Sequence, residues 1–296
     1  MEGMNCFMRW YVITKRGLIT AAVVIAVVIG TVTIAGKSVS TMVSNNANRK
    51  LPVYSVDTKE KKASLSFDAA WGNEDTPQLI EILSKYNVKA TFFIVGQWAD
   101  KYPESVKALK DAGHEIESHS DTHAKMPKLS REKMAEEIKN SADKIEKLTG
   151  TRPTLFRPPY GEYDNALIEV LTEQNHLGVQ WSVDSHDWKD ITSEKIIERV
   201  LKRAHPGAIM LFHNAAKNTP AALPAIIEKL QADGYTLVPI GQLVYRDNYT
   251  IDSKGMQSKK EAAAGGCVGC QCGHCKQPGS VCGENCDENC KCRHDV

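Results

Sequence analysis

The sequence lacks an excess of charge of either sign. Its 296 residues carry 37 Lys and Arg against 36 Asp and Glu, which leaves a formal net charge of +1. It also lacks a basic stripe with interleaved aromatic side chains, the pattern that supplies phosphate contacts in proteins that bind nucleic acids. The sequence therefore predicts no nucleic-acid partner.

A helical His-Glu-x-x-His pattern is also missing, which argues against a metalloprotease. The chain instead has His119 and His123, four residues apart, with only small polar residues between them. They follow a strand-like segment, so both imidazoles can be directed at one divalent cation. One such pair is weak evidence, because on a helix it is as often a pair of solvated surface histidines.

An uncharged stretch rich in Ile, Val and Ala covers residues 17–36, and Arg9, Lys15 and Arg16 precede it. Twenty such residues are long enough to cross a bilayer as a helix. A cleaved signal peptide is the alternative, but the apolar run is long for one and residues 33–35 are a poor cleavage site. We therefore predict a single-pass signal-anchor in the cell membrane, with a cytoplasmic N-terminus at residues 1–16 and the main domain on the extracytoplasmic side.

The rest of the chain divides by composition. Residues 37–52 are polar and predict a linker, residues 53–245 predict the folded domain, and residues 246–266 are again polar and rich in Ala and Gly, as expected for a second linker. Residues 267–294 form a cysteine-rich tail.

Within the domain, short apolar β-type runs alternate with amphipathic helical patterns, which is typical of βα units around a parallel sheet. About seven such units predict a distorted (β/α) barrel in the α/β class. N-caps are predicted at Thr76, which proline follows, and at Asp164 and Ser193, and Thr219 with Pro220 is predicted to open the last helix. Gly150 is predicted to end a helix. The predicted strands are 63–67, 90–95, 114–117, 154–156, 178–182, 208–212 and 236–239.

Polar residues follow five of these strands. In a barrel of parallel strands, the carboxyl ends of the strands together form the active site. Five polar clusters at five strand exits are hard to explain as packing. They are Asp68, the His119 and His123 pair, the run from Arg157 to Gly161, the run from Asp184 to Trp188, and His213.

These clusters resemble, in order and spacing, the five motifs of the NodB-type polysaccharide deacetylases, carbohydrate esterase family 4. The resemblance covers roughly residues 53–245, and the first motif, from Phe67 to Thr76, is similar to that of the sporulation-associated, PdaB-type branch. The matching motifs are Ser66-Phe67-Asp68, His119-Ser120-Asp121-Thr122-His123, Arg157-Pro158-Pro159-Tyr160, Asp184-x-x-Asp187-Trp188 and Leu211-Phe212-His213.

The resemblance implies a role for each matching residue in hydrolysis of an N-acetyl group. His119 and His123 would bind a divalent metal, with Zn²⁺ or Co²⁺ expected. Asp68 would be the catalytic base, oriented by Arg157. His213 would be the general acid, held protonated by Asp187. The backbone N–H of Tyr160 would stabilise the oxyanion, and Trp188 and Leu211 would line the acetyl pocket.

The sequence departs from the family's pattern at Ala69. Most members have a second acidic residue there, which completes an Asp-His-His metal site, and alanine cannot bind a metal. The loss of a charged ligand should weaken metal binding. Water could fill the position, Asp68 could bind the metal itself, or Glu74 or Asp75 could fold back from the next loop, and the sequence leaves these three alternatives open.

The tail has too few apolar residues to fold by burial. Its cysteines, two C-x-x-C and two C-x-C spacings among them, suit a thiolate cluster that binds a soft metal, with His274 and His294 as extra ligands. Disulfides are the alternative in an oxidising environment. The eight cysteines are Cys267, Cys270, Cys272, Cys275, Cys282, Cys286, Cys290 and Cys292.

The sequence thus predicts a membrane-anchored, metal-assisted hydrolase that removes acetyl groups from wall glycan, with sporulation peptidoglycan as the expected substrate. The alternative is a catalytically weak or inactive glycan-binding or spore-envelope protein with a metal-binding or crosslinking tail. The acid and base residues favour the enzyme, because a binding module has no use for them. Ala69 favours the alternative.

Overall fold

A parallel sheet forms the centre of the domain. The computed structural model describes residues 49–260, in which the strands are mostly short and buried. They are β1 (Ser55–Val56), β2 (Lys62–Ala69), β3 (Thr91–Ile94), β4 (Glu115–Ser118), β5 (Leu155–Phe156), β6 (Leu177–Gly178), β7 (Val183–Asp184), β8 (Ile209–His213), β9 (Thr236–Leu237), β10 (Tyr249–Ile251) and β11 (Met256–Lys259).

Seven strands form one path in the order β6-β5-β4-β3-β2-β8-β7, and β9 pairs with β2 beside this path. Every pair in this sheet is parallel. Within the described part of the chain, the end strands β6 and β7 share no ladder, so the sheet curves into a half-barrel. The predicted parallel α/β architecture is therefore confirmed, and the distorted barrel of about seven strands takes the form of a half-barrel.

Helices cover the outside of the sheet. Proline occupies the first turn of three of them, where its missing N–H costs nothing. They are α1 (Thr76–Lys85), α2 (Gly96–Lys101), α3 (Pro103–Asp111), α4 (Arg131–Thr149), α5 (Asn165–Glu173), α6 (Ser193–Arg203), α7 (Thr219–Ala232) and α8 (Ile240–Leu243).

The predicted caps agree with the structure at Asp164 and Gly150 but not at Thr76 and Ser193. Asp75 is the N-cap of α1, and Thr76 is the first residue of that helix. The Asp164 side chain accepts a hydrogen bond from the Leu167 N–H, as expected of an N-cap. Gly150 ends α4 in the left-handed conformation, with φ of 68°. Ser193 was predicted to be an N-cap, but Thr192 takes that position and Ser193 is the first residue of α6. Serine and threonine are adjacent here and equally suited, so sequence alone does not separate them.

Three stacked phenylalanines lock the centre of the sheet. The Phe67 ring lies 4.8 Å from that of Phe92 and 5.5 Å from that of Phe212. All three are buried, and each contributes about 2–3 kcal/mol through burial. They belong to β2, β3 and β8. This packing therefore fixes the ends of β2 and β8, which carry Asp68 and His213, relative to one another.

A second, three-stranded sheet in the order β1-β11-β10 corrects the predicted end of the domain at residue 245. β11 pairs in parallel with β1, and Gln257 in β11 is fully buried. The Gln257 amide donates to the Tyr245 carbonyl and accepts from the Tyr245 N–H. Residues 246–259, predicted as linker because they are polar, are thus held to the domain by backbone pairing, and Ile251 packs against the core.

Several predictions concern segments outside the described residues. These are the N-terminal span at residues 17–36, most of the first linker, the end of the second and the cysteine-rich tail. In residues 49–260 no helix is sufficiently long and apolar to cross a bilayer.

His114 is a buried core residue. Its Nδ1 accepts from the Ala90 N–H at 3.3 Å and its ring lies 5.3 Å from that of Phe92. Its Nε2 is buried without a hydrogen-bond partner among the described residues. Burial, with a smaller effect of Lys89, lowers the pKa of His114 to about 4.

Because that folded-state pKa lies below the unfolded one, the folded protein binds fewer protons between pH 6.5 and 4. Stability should therefore fall as pH falls through this window, by roughly 2–3 kcal/mol at pH 4.5 from His114 alone. His114→Gln keeps an acceptor for Ala90 but does not titrate. Urea unfolding at pH 7 and pH 4.5 should show a smaller acid destabilisation in the variant. Equal losses in both proteins would contradict this account.

Candidate active site

Four strands bring the predicted site residues to one edge of the sheet. Asp68, His119, Arg157 and His213 stand at or just beyond the carboxyl ends of β2, β4, β5 and β8. They border or support a cavity of about 470 Å³, here called the strand-end cavity. It is lined by Asp68, Trp71, His119, His123, Tyr160, Gly161, Trp181, Asp184, Trp188, Leu211 and His213.

A buried ion pair between Arg157 and Asp68 forms the floor of this cavity. Arg157 Nη1 donates to Asp68 Oδ1 at 2.7 Å, and Nη2 donates to Ser66 Oγ and to the Gln180 carbonyl. The guanidinium carbon lies 4.1 Å from the centre of the Phe93 ring. These contacts allow one orientation of the guanidinium, and that orientation fixes Asp68.

Asp68 is held in its ionised form. Burial would raise the pKa of its carboxyl, but the positive charge of Arg157, with His119 and His213, outweighs burial and lowers that pKa below its ordinary value. Since Oδ1 accepts from Arg157, Oδ2 is the oxygen left for chemistry in the cavity.

His119 has a defined tautomer. Its Nδ1 lies 2.7 Å from the Arg157 carbonyl oxygen, which can only accept, so Nδ1 carries the hydrogen. Burial lowers the pKa of His119 despite the opposing charge of Asp68, so the ring is neutral and Nε2 has a free lone pair. That Nε2 lies 3.5 Å from Asp68 Oδ2. Two electron-pair donors at this distance, with no hydrogen between them, suit a shared cation.

His123 completes the predicted histidine pair. Its ring centre lies 5.0 Å from that of His119, and burial, with a smaller effect from the proximity of His119, lowers the pKa of His123 to about 4. Both imidazoles are therefore neutral near pH 7, as metal binding requires. His123 has a φ of 60°, and its N–H donates to Ser120 Oγ.

The third ligand expected in such a site is missing. Ala69 is buried and offers no donor, and no group of three or more His, Cys, Asp or Glu side chains within residues 49–260 is arranged to hold a metal ion. Glu74 accepts from the Asn73 N–H and Asp75 from the Ala215 N–H, and neither lines the cavity. The described residues thus fit a metal held by two histidines, with Asp68 as the nearest carboxylate.

A second buried carboxylate orients His213. His213 Nδ1 donates to Asp187 Oδ1 at 2.8 Å, and the His213 N–H donates to Oδ2 at 2.8 Å. The Thr219 hydroxyl donates to the same Oδ2 at 2.7 Å, and Thr219 is fully buried. With Nδ1 bound to Asp187, the His213 ring can present only Nε2 to the cavity.

His213 is more basic than an ordinary histidine. Burial opposes its charge, but the hydrogen bond and charge of Asp187, with the charges of Asp68 and Asp184, outweigh burial and raise its pKa. The site therefore contains an ionised carboxylate and a readily protonated imidazole, which are the requirements for general acid–base catalysis.

Three aromatic side chains stand around the cavity with more than half of their surface exposed: Trp71, Tyr160 and Trp188. Tyr160 adopts a left-handed conformation with φ of 61°, and its ring lies 4.6 Å from that of His123. Leu211, by contrast, is almost fully buried. Every residue assigned to the site from the sequence thus lies in or directly behind this cavity.

Sequence reasoning did not identify Ser66, Thr219 or Trp71 as parts of the site. Ser66 and Thr219 act through buried hydrogen bonds between strands or helices distant in sequence, which leave no local pattern. Trp71 lies within the first motif, from Phe67 to Thr76, and a tryptophan inside that motif was the available signal.

The sequence matches the polysaccharide deacetylase family over residues 55–180. It is 33% identical over 193 residues to the uncharacterised protein YlxY of Bacillus subtilis (65% of this chain, 60% of YlxY). It is 36% identical over 188 residues to the peptidoglycan-N-acetylmuramic acid deacetylase PdaC of Bacillus subtilis (64% and 40%). It is 34% identical over 191 residues to a Bacillus cereus peptidoglycan-N-acetylglucosamine deacetylase (63% and 70%). The chain thus spans less than two thirds of YlxY and of PdaC.

Solved structures are similar as well. A mutant of BA3943, described as a CE4 family pseudoenzyme with restored enzymatic activity, has a TM-score of 0.64 and 34% identity over 66% of this chain and 71% of that one. The peptidoglycan N-acetylglucosamine deacetylase Bc1960 has a TM-score of 0.63 and 32% identity over 64% and 91%. The similar structures therefore include both an active deacetylase and a pseudoenzyme.

The effect of the missing ligand on metal affinity can be tested by placing an acidic residue at position 69. Ala69→Asp supplies a third ligand and a negative charge, so Zn²⁺ affinity at the histidine pair should rise by at least roughly ten-fold. Isothermal titration of the full chain with Zn²⁺ measures this. A double variant, His119→Ala with His123→Ala, keeps the cysteine-rich tail. Its Zn²⁺ binding is the background to subtract from the other titrations. Equal histidine-dependent affinity with and without Asp at position 69 would contradict this account.

Proposed function

Because the chain belongs to the polysaccharide deacetylase family, we propose that it hydrolyses the N-acetyl groups of peptidoglycan sugars. The observation that carries the proposal is the pairing, in one cavity, of a carboxylate kept ionised by Arg157 and an imidazole kept basic by Asp187. Amide hydrolysis needs both, since a proton must leave the attacking water and another must reach the departing amine.

Asp68 takes the water's proton in this scheme. Its Oδ1 is occupied by Arg157, so Oδ2 is the basic atom. Arg157 does not touch the substrate, because it is completely buried behind Asp68. It is a positioning residue that keeps the carboxylate oriented and charged before the reaction begins.

His213 gives a proton to the amine that leaves. Its Nδ1 hydrogen stays with Asp187, so the proton delivered is the one on Nε2. Asp187 is fully buried and accepts four hydrogen bonds, from the His213 ring and N–H, the Trp188 N–H and the Thr219 hydroxyl. This network holds the carboxylate in place while the charge on His213 changes.

His119 and His123 would hold a divalent metal, Zn²⁺ or Co²⁺. When bound, such an ion lowers the pKa of water and polarises the amide carbonyl. The described residues contribute two neutral imidazoles to it, and Asp68 Oδ2 lies within 3.5 Å of one of them. Asp68 would then serve both as base and as metal ligand, in place of the acidic residue replaced by Ala69.

The substrate's acetyl group is placed between aromatic and apolar side chains. Trp188 and Leu211 line the cavity and would contact the methyl group. The backbone N–H of Tyr160 would donate to the developing oxyanion. The left-handed conformation of Tyr160 turns this stretch of backbone at the edge of the cavity.

We place this activity on the outer side of the cell membrane, in sporulation-related wall glycan. The apolar stretch at residues 17–36 would anchor the chain, and the tail cysteines would bind a soft metal or form disulfides. The relatives support only the choice of peptidoglycan as the substrate, since PdaC is named for N-acetylmuramic acid and the Bacillus cereus protein for N-acetylglucosamine.

One observation favours a second candidate function. Without a carboxylate at position 69, the described residues form no three-ligand metal group. A chain that binds the metal weakly would recognise glycan without hydrolysing it at a useful rate, as a pseudoenzyme does. The exposed aromatic rings around the cavity would serve such a glycan-binding protein equally well.

Replacing the base distinguishes the two candidates. Asp68→Asn keeps an oxygen for Arg157 but cannot accept a proton, so acetate release from peptidoglycan fragments should fall by at least roughly 100-fold. Asp143→Asn, which changes an exposed carboxylate on α4, is the control and should leave the rate unchanged. Loss of bound metal together with activity would show that Asp68 is a ligand as well. No release by the unmodified chain, with fragments still bound, would support the pseudoenzyme.

Thr219 should act as a positioning residue through Asp187. Thr219→Val removes one of the donors to Asp187 Oδ2 and keeps the side-chain shape. With one donor fewer, the Asp187 carboxylate accepts more strongly from His213, so the pKa of His213 should rise and the alkaline limb of the pH–rate profile should move to higher pH. Thr219→Ser keeps the hydroxyl, so its alkaline limb should lie at the same pH as in the unmodified protein. A uniform loss of rate with an unchanged profile would indicate a merely structural role.

A further inference from the structure

The backbone between the two histidines of the site has an uncommon conformation. Ser120 and His123 both lie in the left-handed region, with φ of 67° and 60°. Residues other than glycine adopt this region rarely, and they stay in it only where the surrounding structure holds them there. Residues 119–123, here called the histidine loop, must therefore be held by contacts with the rest of the domain.

Glu137 of α4 makes three of these contacts. Its Oε2 accepts from the Asp121 N–H at 2.9 Å and from the Thr122 N–H at 2.8 Å. Its Oε1 accepts from the Thr122 hydroxyl at 2.8 Å. One carboxylate thus satisfies two adjacent backbone donors and a side-chain donor, and hydrogen bonds to a charged acceptor are stronger than those between neutral groups.

The start of α2 holds the carbonyl groups of the same loop. The Gly96 N–H donates to the Ser120 carbonyl at 2.9 Å. The Gln97 N–H donates to the Asp121 carbonyl, also at 2.9 Å. Both N–H groups belong to the first turn of a helix, where no acceptor within the helix is available. A Cβ at position 96 would overlap Asp121 Oδ1, so this close approach requires glycine.

Lys144 of α4 ties the loop to both helices. Its Nζ lies 2.6 Å from Asp121 Oδ1 and 2.8 Å from Asp100 Oδ2 on α2. This contact holds a side chain of the loop, whereas Glu137 holds the backbone itself. The path of the loop therefore depends on Glu137 more directly than on Lys144.

We propose that Glu137 is a positioning residue that sets the path of the histidine loop and so presents His123 beside His119. This rests on the metal site of the proposed function, since the two imidazoles are placed for a shared cation. Thr122, which makes two of the three hydrogen bonds to Glu137, directly precedes His123. Glu137 does not line the strand-end cavity, so it acts through the loop and not on the metal or the substrate.

The replacement at position 69 gives this positioning more weight. A metal bound here meets two imidazoles, so displacement of His123 removes one of the two. Ligands that are already in place bind without the cost of ordering them. Where the described residues offer so few ligands, that cost would be set against a small interaction energy, and a loop ordered in advance by Glu137 avoids it.

Replacement of Glu137 tests the proposal with metal. Glu137→Ala removes all three hydrogen bonds, so Zn²⁺ affinity at the histidine pair should fall by roughly ten-fold. Isothermal titration of the full chain with Zn²⁺ measures this affinity. The double variant His119→Ala with His123→Ala again provides the background from the cysteine-rich tail.

A second measurement on the same proteins uses no metal. Amide hydrogen exchange at Asp121 and Thr122 should become at least roughly ten-fold faster in Glu137→Ala, because both N–H groups lose their acceptor. The amides of β4 should exchange at nearly their original rate. Faster exchange throughout the domain would indicate a general loss of stability and would overturn the proposal.

Two variants serve as controls. Glu137→Gln keeps one oxygen for the two backbone N–H groups, and its amide group can donate to the Thr122 hydroxyl. Most of the Zn²⁺ affinity and of the amide protection should therefore return. Glu136→Ala removes the adjacent, exposed carboxylate, which pairs with Lys133, and should change neither quantity.

Unchanged histidine-dependent Zn²⁺ affinity in Glu137→Ala would overturn the proposal, as would an equal loss in Glu136→Ala. A loss that Glu137→Gln does not recover would also overturn it, since the effect would then come from charge and not from the hydrogen bonds. Loop protection that needs Glu137, without histidine-dependent Zn²⁺ binding, would support the positioning role and count against the metal site. Neither measurement uses acetate release, so a failure of deacetylation is distinguishable from a failure of this proposal.

Discussion

The ion pair between Arg157 and Asp68 is the interaction on which the rest of the site depends. Both side chains are buried, and a buried pair is tolerated only where further hydrogen bonds satisfy its remaining atoms. Ser66 and the Gln180 carbonyl accept from Nη2, and Phe93 packs against the guanidinium, so that among the described residues only Nε of Arg157 is left without a hydrogen bond. Removal of one partner would leave an unpaired buried charge, at a cost of about 3–5 kcal/mol. The same pair makes Asp68 an ionised base, so stability and chemistry share one constraint.

The two carboxylates of the site have different environments, and this separates their tasks. Asp68 faces a cation behind it and the cavity in front, so one oxygen stays available for a proton or a metal. Asp187 is enclosed by four donors and serves only to orient and charge His213. Because alanine occupies position 69, the carboxylate nearest to the histidine pair is Asp68, which is also the base. Asp68 would therefore serve as the acidic metal ligand as well.

Much of this arrangement could be predicted from the sequence, because parallel strands place their carboxyl ends at one edge whatever the details of the sheet. That rule was enough to bring Asp68, His119, Arg157 and His213 together. It could not find Thr219 or Ser66, whose hydroxyls matter through single hydrogen bonds to distant segments. It also could not find the β10 and β11 pairing, since polar strands such as residues 249–259 have the composition of a linker.

The most direct test of the account is acetate release from peptidoglycan fragments by the full chain, with added Zn²⁺ and with a chelator. The account predicts release that requires the metal and disappears in His119→Ala, which would show that two histidines with Asp68 suffice. Fragments that bind but release no acetate with any divalent metal would contradict it.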